Sequence, residues 1–246
     1  MEKVIEVNSI TCKYGDTTIV ENVSFSVDRG EIFGILGGSG CGKSTVLKSL
    51  IGLNPSSKGS IHILGMKMKD SLSSLSVLTK IGVMYQQGAL FGSMTLLENV
   101  MLPMEEFTDL PREIREEVAF QKLELVGLGQ AANLMPSELS GGMRKRGAIA
   151  RAMALDPQIL FLDEPSAGLD PITSAELDQL ILSLADKTKT TFVIVTHELS
   201  SVFTVAKRVI ILDKEQKGII AEGNPIQLRD HSKDKRVRKF LNRGIE

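Results

Sequence analysis

The segment GILGGSGCGKST (residues 34–45) combines glycines, a lysine and hydroxyl side chains at a spacing suited to phosphate binding. It fits the pattern G-x-x-x-x-G-K-[ST], and it lies between a strand-like apolar run and a helix-like run. Glycines let the backbone turn tightly and aim its N–H groups at phosphate oxygens. In this pattern Lys43 reaches the β- and γ-phosphates, and Ser44 offers its hydroxyl to Mg²⁺. A purely structural glycine turn would not explain why the lysine and the hydroxyl follow.

The loop therefore predicts that the chain binds a nucleoside triphosphate together with Mg²⁺. The residues predicted to line the phosphates are contiguous: Gly37, Gly38, Ser39, Gly40, Cys41, Gly42, Lys43, Ser44 and Thr45. We interpret Cys41 as a small residue that fits the loop and not as a redox group, although its thiol would lie near bound phosphate.

A pair of carboxylates, Asp163 and Glu164, follows the apolar run ILFL. The run predicts a buried strand, and ligands of open α/β folds bind at the carboxyl edge of the sheet. Neighbouring strand residues point to opposite faces, so the two roles can differ. We predict that Asp163 holds Mg²⁺, directly or through water, and that Glu164 is the general base that polarises the attacking water. Considered alone, the pair could also be a charged strand end that turns into solvent.

A third strand-like run, TFVIVT, is followed by His197. We expect its strand to neighbour the one that ends in the two carboxylates. His197 could then hydrogen-bond the γ-phosphate and orient the water or Glu164. The other two histidines, His62 and His231, are interpreted as structural.

The stretch LSGGMRKR (residues 139–146) forms a second candidate anion cradle, because Ser140, Gly141 and Gly142 precede a helix-like run. One nucleotide needs only one phosphate loop, and this second cradle lies in a different, helical part of the sequence. We therefore predict that it covers the γ-phosphate bound by another copy of the chain. Two copies placed head-to-tail would form a closed homodimer with two nucleotides between them.

The elements that must position these residues follow from the apolar patterns. Strand-like runs cover residues 4–7, 19–27, 31–36, 60–64 and 81–85, and residues 95–155 are patterned as helices. Strands and helices then alternate, which favours a mostly parallel sheet with helices packed on it. We predict an α/β fold in one domain, residues 1–246, with a nucleotide-binding core (1–87 and 156–246) and an inserted helical subdomain (88–155).

The composition argues against several function classes. Lys and Arg number 29 against 30 Asp and Glu in 246 residues, so no global basic field favours nucleic acid. Two cysteines do not make a disulfide framework, which favours a reducing cytosol. The sequence shows neither the apolar core of a signal peptide nor an apolar run near the ~20 residues of a membrane span. Any membrane role is therefore expected to come through a partner.

Five stretches, GGSGCGKS, LSGGM, ILFLDEP, SAGLD and IVTHE, resemble in this order the motifs of the ATP-binding cassette of ABC transporters. The resemblance covers essentially the whole chain. It implies a P-loop NTPase fold with a mixed sheet core and an N-terminal antiparallel β region. It also implies ATP as the nucleotide and ATP hydrolysis coupled to transport.

The same resemblance implies roles for further residues. Tyr14 resembles the aromatic residue that stacks on adenine, and Gln86 resembles the glutamine that contacts Mg²⁺ and the water; the adjacent Gln87 is the alternative. Residues 166–170 resemble the loop that crosses the dimer interface. Met143 stands where the family usually has glutamine, so we expect a tuned rate without loss of activity.

Two stretches, GGMRKRGAIARAMALDP and GLDPITSAELD, narrow the resemblance to the Mla-type (MlaF-like) ATPases of bacterial phospholipid transport. This implies an MlaE-like permease, an MCE-domain protein and a small regulatory subunit as partners. It also implies a peripheral location on the cytoplasmic face of the inner membrane.

The sequence is also compatible with alternative functions. They are ABC transport of amino acids or lipoproteins, and a soluble ABC ATPase that works mechanically on nucleic acid or ribosomes. The latter class commonly carries two cassettes, coiled-coil insertions or basic arms, whereas this sequence has one cassette and no heptad run. A P-loop kinase would need neither LSGGM nor SAGLD.

The segment QQGALFGSMT (residues 86–95) joins the predicted core to the helical block. Its glycines predict a hinge, and its apolar residues Leu90 and Phe91 allow two interpretations. They could form a docking site for a helix of the permease, or they could fill the joint between the subdomains.

Overall fold

The computed structural model describes residues 2–68 and 75–242, and it confirms the predicted α/β class with mixed sheets and helices. The chain divides into two compact units. We call the one that runs up to Leu78 and resumes at Thr191 the N/C unit, and Thr79–Thr190 the central unit. The predicted boundaries at residues 88 and 155 stay a prediction, because compactness groups two strands with the helical block.

The N/C unit contains two sheets. Its strands are β1 (Lys3–Tyr14), β2 (Thr17–Asp28), β3 (Ile32–Gly37), β4 (Lys58–Ile63), β5 (Met66–Lys67), β8 (Thr191–Thr196), β9 (Arg208–Asp213) and β10 (Gly218–Gly223). The first sheet is antiparallel with the order β2-β1-β4-β5. In the second, β3 pairs in parallel with both β8 and β9, and β10 is antiparallel to β9. The antiparallel β region that the resemblance implied is therefore present.

The helices of the N/C unit are α1 (Lys43–Leu50), α2 (Leu75–Leu78), α7 (Leu199–Val205), α8 (Pro225–His231) and α9 (Lys235–Leu241). Every residue of β3 and β8 is buried, as expected for parallel strands covered on both faces. Although α9 is rich in basic residues, it buries Val237 and Leu241 in a cluster with Leu36 and Val209.

Arg208 ties the two sheets of the N/C unit together. Its guanidinium donates to both carboxylate oxygens of Glu31 at 2.9 and 2.8 Å and to the carbonyl of Ser26 at 2.7 Å. It also lies 5.0 Å from the ring centroid of Phe33, which stacks on Phe25. These contacts join β2 to β3 and β9, and β3 is the strand that leads into the phosphate loop.

The central unit is a parallel strand pair with helices. Its strands are β6 (Ile81–Met84) and β7 (Ile159–Asp163), and its helices are α3 (Leu96–Phe107), α4 (Arg112–Leu125), α5 (Gly141–Ala152) and α6 (Pro171–Thr188). Short 3-10 turns cover Gly129–Ala131 and Pro136–Glu138. Thr95 and Glu98 form a reciprocal capping box at the start of α3, and Asp170 caps α6 through two backbone N–H groups.

Candidate functional site

The predicted phosphate loop lies between β3 and α1, and its glycines are required by the backbone. Gly40 and Gly42 have φ of 74° and 103°, which side chains rarely adopt. A Cβ at Gly42 would also lie 2.5 Å from Cγ1 of Val20, and one at Gly37 would lie 2.5 Å from the carbonyl oxygen of Leu212. The chain can therefore make this turn only with glycine at these positions.

Lys43 closes the loop on itself. Its Nζ donates to the carbonyl oxygens of Gly37 at 2.8 Å and of Gly38 at 3.2 Å, and the side chain is largely buried. Gly38, Ser39, Gly40 and Ser44 are exposed. The loop thus presents backbone and hydroxyl groups outward above a fixed cation, which is the arrangement that an anion cradle needs.

Cys41 points into the protein beneath Gly37. It is 2% exposed, and its Sγ lies 2.4 Å from the position that a Cβ on Gly37 would occupy. Burial raises the pKa of the Cys41 thiol, and the Lys43 ammonium opposes that rise. The cysteine therefore packs under the loop as a small, buried residue, and both its burial and its raised pKa disfavour the reactive thiolate.

The N/C unit also holds the predicted residues Tyr14 and His197. Tyr14 is the last residue of β1, and about half of its side chain is exposed (49%). His197 directly follows β8, whose Thr196 pairs with Leu36 of β3. It therefore lies at the sheet edge where the phosphate loop begins, and its Nε2 is 3.8 Å from Oε1 of Glu198.

In the central unit, Asp163 ends β7 and Glu164 follows it. Glu164 is 8% exposed and has φ of 48°, a left-handed conformation that costs about 1–2 kcal/mol for a residue with a side chain. Its carbonyl oxygen accepts the N–H of Ala167 at 3.2 Å. Backbone strain of this kind persists only where the surroundings fix it, and it concentrates at functional sites.

Gln86 lies level with Glu164 at the same edge of the strand pair. Met84, the last residue of β6, pairs with Leu162 of β7, and each of the two polar residues comes two positions later. Gln86 and Gln87 lie in a turn beyond the paired residues, both side chains are exposed and both line the same cavity, so the choice of Gln86 stays a prediction.

Lys145 of α5 links these two positions, and sequence reasoning missed it. Its Nζ donates to the carbonyl oxygens of Gln86 and, at 3.1 Å, of Glu164. Burial lowers the pKa of Lys145, and the carboxylates of Glu164 and Asp163 oppose that shift. A signal was present: Lys145 shares a helical face with Gly142 and Ile149, which are buried positions.

The second anion cradle is an ordinary capped helix start. Ser140 is exposed, and its Oγ accepts the backbone N–H of Met143 at 3.2 Å. The unusual Met143 therefore takes part in the cap only through its backbone. A Cβ at Gly142 would lie 2.5 Å from Cγ2 of Thr173, so glycine lets α5 approach α6.

A cavity of about 460 Å³ brings several predicted residues of the central unit together. Its lining comprises Gln86, Gln87, Gly141, Arg144, Lys145, Ala167, Gly168 and Leu169. Thus the second cradle, the glutamine position and the loop at residues 166–170 surround one space.

Helices α5 and α3 tie down residues 86–95. Arg151 donates to the carbonyls of Ala89 at 2.7 Å and Gly88 at 3.0 Å, while the Asn99 side chain bonds both the N–H and the carbonyl of Phe91. Phe91 is 51% exposed, and the Arg151 guanidinium lies 5.8 Å from its ring centroid. Leu90 is half-buried near Gly147 of α5. The joint-filling interpretation therefore fits Leu90, and the docking interpretation fits Phe91.

The predicted Mg²⁺ ligands fit the ion chemically. Ser44, Gln86 and Asp163 offer hydroxyl, amide and carboxylate oxygens, and Mg²⁺ is a hard cation that takes oxygen ligands, usually one or two carboxylates together with phosphates and water. Within residues 2–68 and 75–242, no group of three or more His, Cys, Asp or Glu side chains could hold a metal by itself. No helix in the same residues has the length and apolar character needed to cross a bilayer.

Comparison with known proteins gives consistent matches. The model of the family described as ABC transporter matches residues 20–167. A probable ribonucleotide transport ATP-binding protein of Mycobacterium tuberculosis is 41% identical over 240 residues, which are 97% of this chain and 66% of the relative. The intermembrane phospholipid transport system ATP-binding protein MlaF of Haemophilus influenzae is 40% identical over 242 residues, which are 98% of this chain and 90% of the relative.

Among solved structures, a dimeric post-hydrolysis state of an ATP-binding cassette bound to ADP and Pi has a TM-score of 0.78. The two sequences are 31% identical, and the match covers 89% of this chain and 98% of the solved chain. This match confirms the predicted cassette fold. The chain spans 66%, just under two thirds, of the length of the Mycobacterium tuberculosis relative.

Proposed function

The chain belongs to the ABC transporter family, and from that premise we propose that it is the ATP-hydrolysing subunit of a membrane transporter. The observation that carries the proposal is the presence of two anion cradles, one in each compact unit: the loop at Gly37–Thr45 and the capped helix start at Ser140–Gly142. The second cradle has a role if two copies of the chain form a dimer, because it can then contact the γ-phosphate of the nucleotide that the other copy binds. The similar solved cassette is dimeric and is in a post-hydrolysis state with ADP and Pi, which supports the same cycle here.

In this cycle each residue has a stated task. Lys43 and the exposed backbone of the loop hold the phosphates of ATP, and Tyr14 stacks on adenine. Ser140 uses its lone pairs to cap α5 and its hydroxyl proton to bind the γ-phosphate of the opposite copy. Glu164 accepts a proton from the attacking water, and His197 orients that water and the γ-phosphate.

Ser44, Asp163 and Gln86 are the residues proposed to hold Mg²⁺. When bound, the ion would supply charge neutralisation on the phosphates. Since Ser140, Gly141 and Gly142 make the cradle and Met143 contributes only its backbone N–H to the cap, replacing the usual glutamine leaves the cradle intact.

Phospholipid is the cargo that the comparisons favour. The MlaF relatives of Haemophilus influenzae and Escherichia coli match over 90% and 88% of their length, so they are nearly whole-chain matches. The mycobacterial relative named for ribonucleotide transport matches over 66%, and a third of that protein has no counterpart here. Ribonucleotide transport is therefore the second candidate.

With this cargo, the partners are those that the resemblance to the Mla-type ATPases implies. We propose an MlaE-like permease, an MCE-domain protein and a small regulatory subunit, with the chain bound peripherally at the cytoplasmic face of the inner membrane. The half-exposed Phe91, on a segment braced by α3 and α5, is the proposed contact with the permease.

Reconstitution tests the function and separates the cargoes. The chain is purified with its membrane partner and placed in liposomes with a fluorescent phospholipid, with a labelled ribonucleotide in a parallel sample. We expect phospholipid transfer that requires ATP and is lost with Lys43→Ala. Transfer of the ribonucleotide alone would contradict the phospholipid assignment, and ATP turnover unaffected by Lys43→Ala would contradict the ATPase assignment.

A further inference from the structure

Lys145 is buried, and two backbone carbonyl oxygens accept hydrogen bonds from its ammonium group. It is 8% exposed, in the second turn of α5, and its Nζ donates to the carbonyl oxygens of Gln86 and Glu164. Burying an ammonium group is unfavourable unless hydrogen bonds and opposite charges compensate. Here the two carbonyls provide the hydrogen bonds, and the nearby carboxylates of Asp163 and Glu164 provide the charge.

One of the two partners of Lys145 is the backbone carbonyl of Glu164, and the backbone conformation at this residue sets the direction of the side chain of the proposed base. Glu164 has a left-handed backbone, which points its carbonyl away from the line of β7. That carbonyl is held twice, by the N–H of Ala167 at 3.2 Å and by Nζ of Lys145 at 3.1 Å. Because backbone conformation decides where the Cα–Cβ bond points, the ammonium helps to determine where the Glu164 carboxylate stands.

The other partner of Lys145 is the backbone carbonyl of Gln86, which is the first residue of the segment 86–95. Two cations of α5 hold this segment: Lys145 binds the carbonyl of Gln86, and Arg151 binds those of Gly88 and Ala89. Of these two, Lys145 also reaches Glu164. Movement of residues 86–95 therefore has a direct route to Glu164 through Lys145, and Arg151 provides a natural comparison.

We propose that Lys145 is a positioning residue for hydrolysis, which fixes the backbone of Glu164 and couples it to the segment at residues 86–95. The inference rests on the proposed function, because it assumes that Glu164 is the general base.

The first test removes the ammonium group of Lys145 and keeps a side chain of similar size. Lys145→Met has an unbranched side chain of similar length without donors, so Glu164 should lose its anchor while the phosphate loop stays unchanged. We expect the single-turnover rate of ATP hydrolysis to fall roughly 10²-fold, the effect of a small misplacement of a catalytic group, with an unchanged Kd for ATP. Lys145→Arg retains charge and donors and should recover most of the rate.

Arg151→Met is the matched control. It frees only the carbonyls of Gly88 and Ala89 and leaves the bonds of Lys145 to Gln86 and Glu164 in place, so the basal rate per folded molecule should stay near that of the parent chain. If Lys145→Met does not fold, Lys145→Gln takes its place, since its shorter amide cannot reach both carbonyls. A purely structural role would lower the melting temperature and leave the rate per folded molecule unchanged, which would overturn the proposal.

A double variant separates the inference from the function on which it rests. If both residues act on one step, Lys145→Met combined with Glu164→Gln should hydrolyse ATP no more slowly than Glu164→Gln alone. If the double variant were slower than Glu164→Gln by the full factor that Lys145→Met causes alone, the positioning role would be overturned. If Glu164→Gln alone keeps the parent rate, the proposed base is wrong and the inference fails with it. If Glu164→Gln is slow but Lys145→Met is normal, only the inference fails.

Discussion

The two anion cradles of this chain, at the starts of α1 and α5, use glycine for different physical reasons. Before α1, Gly40 and Gly42 adopt positive φ, and the residue preceding the helix has no side-chain cap. Before α5, Ser140 has an extended conformation and caps the helix with its hydroxyl, and neither Gly141 nor Gly142 has positive φ. The first cradle therefore depends on backbone conformation, and the second depends on a cap and on close packing against α6.

This difference suggests a division of labour. The first cradle is complete within nine consecutive residues, and its own Lys43 supplies the charge. The second offers a hydroxyl and a helix N-terminus on an exposed surface, which can stabilise an anion that another molecule has already bound.

The first prediction tests whether the second cradle meets a nucleotide at all. Glu164→Gln removes the proposed base, so hydrolysis should slow by ~10²–10⁴-fold while ATP still binds. The chain should then accumulate as an ATP-bound dimer, seen as an earlier peak in size-exclusion chromatography with ATP. Lys43→Ala, which weakens binding itself, should stay monomeric in the same experiment. A monomer with and without ATP in the Glu164→Gln variant would contradict the shared-nucleotide arrangement.

The second prediction compares the glycines. Gly42→Ala forces a left-handed backbone and a contact with Val20, so it should cost roughly 2–5 kcal/mol of unfolding free energy. Gly142→Ala meets only the methyl group of Thr173 and gains helix propensity, so it should cost about 2 kcal/mol or less. Gly141→Ala meets Leu169 at an ordinary 3.5 Å and should be neutral. Urea denaturation measures all three, and equal costs at Gly42 and Gly142 would remove the distinction.

The third prediction separates the two tasks of Ser140. Ser140→Ala removes the cap of α5 and should cost about 1 kcal/mol in a thermal or urea melt. Ser140→Asp keeps a capping oxygen, so stability should be retained, but its carboxylate would repel the γ-phosphate of the opposite copy. In a Glu164→Gln background, ATP should therefore fail to dimerise Ser140→Asp. Dimerisation equal to that of the parent would mean that Ser140 does not face a phosphate.

The fourth and smallest effect concerns the segment between β6 and α3. Phe91→Ala should change the unfolding free energy by about 1 kcal/mol or less, because half the side chain is exposed and its contact with Arg151 is a surface cation–π pair. Binding to the permease should weaken in a pull-down. Leu90→Ala is the control and should cost more stability with less effect on the permease. The reverse pattern would assign docking to Leu90.

Several features of this site were predictable because they are local. The phosphate loop needs glycine, lysine and hydroxyl groups at fixed places in one contiguous stretch, so residues 37–45 can be recognised from the sequence alone. The strand ends were also readable, since fully buried runs such as ILFL and TFVIVT end where Asp163 and His197 stand. Likewise, Ser140 could be recognised as a helix cap because a cap depends only on the next three residues.

Other features depend on which distant elements meet. Lys145 is 59 residues from Gln86 and 19 from Glu164, and Arg151 is more than 60 residues from the carbonyls that it binds. Without the register of β6 against β7 and the packing of α5, nothing in the sequence pairs these groups. The same holds for Cys41, whose Sγ packs beneath Gly37, where Leu212 of β9 also comes close.

The sequence by itself thus determined the candidate chemistry: a predicted triphosphate cradle, a strand-end carboxylate pair and a second predicted cradle, each made by neighbours in the chain. Only the tertiary structure decided how that chemistry is held. It placed a buried ammonium between Gln86 and Glu164 and turned the Cys41 thiol away from the loop surface. It also braced residues 86–95 from two helices. The physical reason is that a short motif fixes backbone conformation, whereas burial and long-range hydrogen bonds exist only after strands and helices have packed.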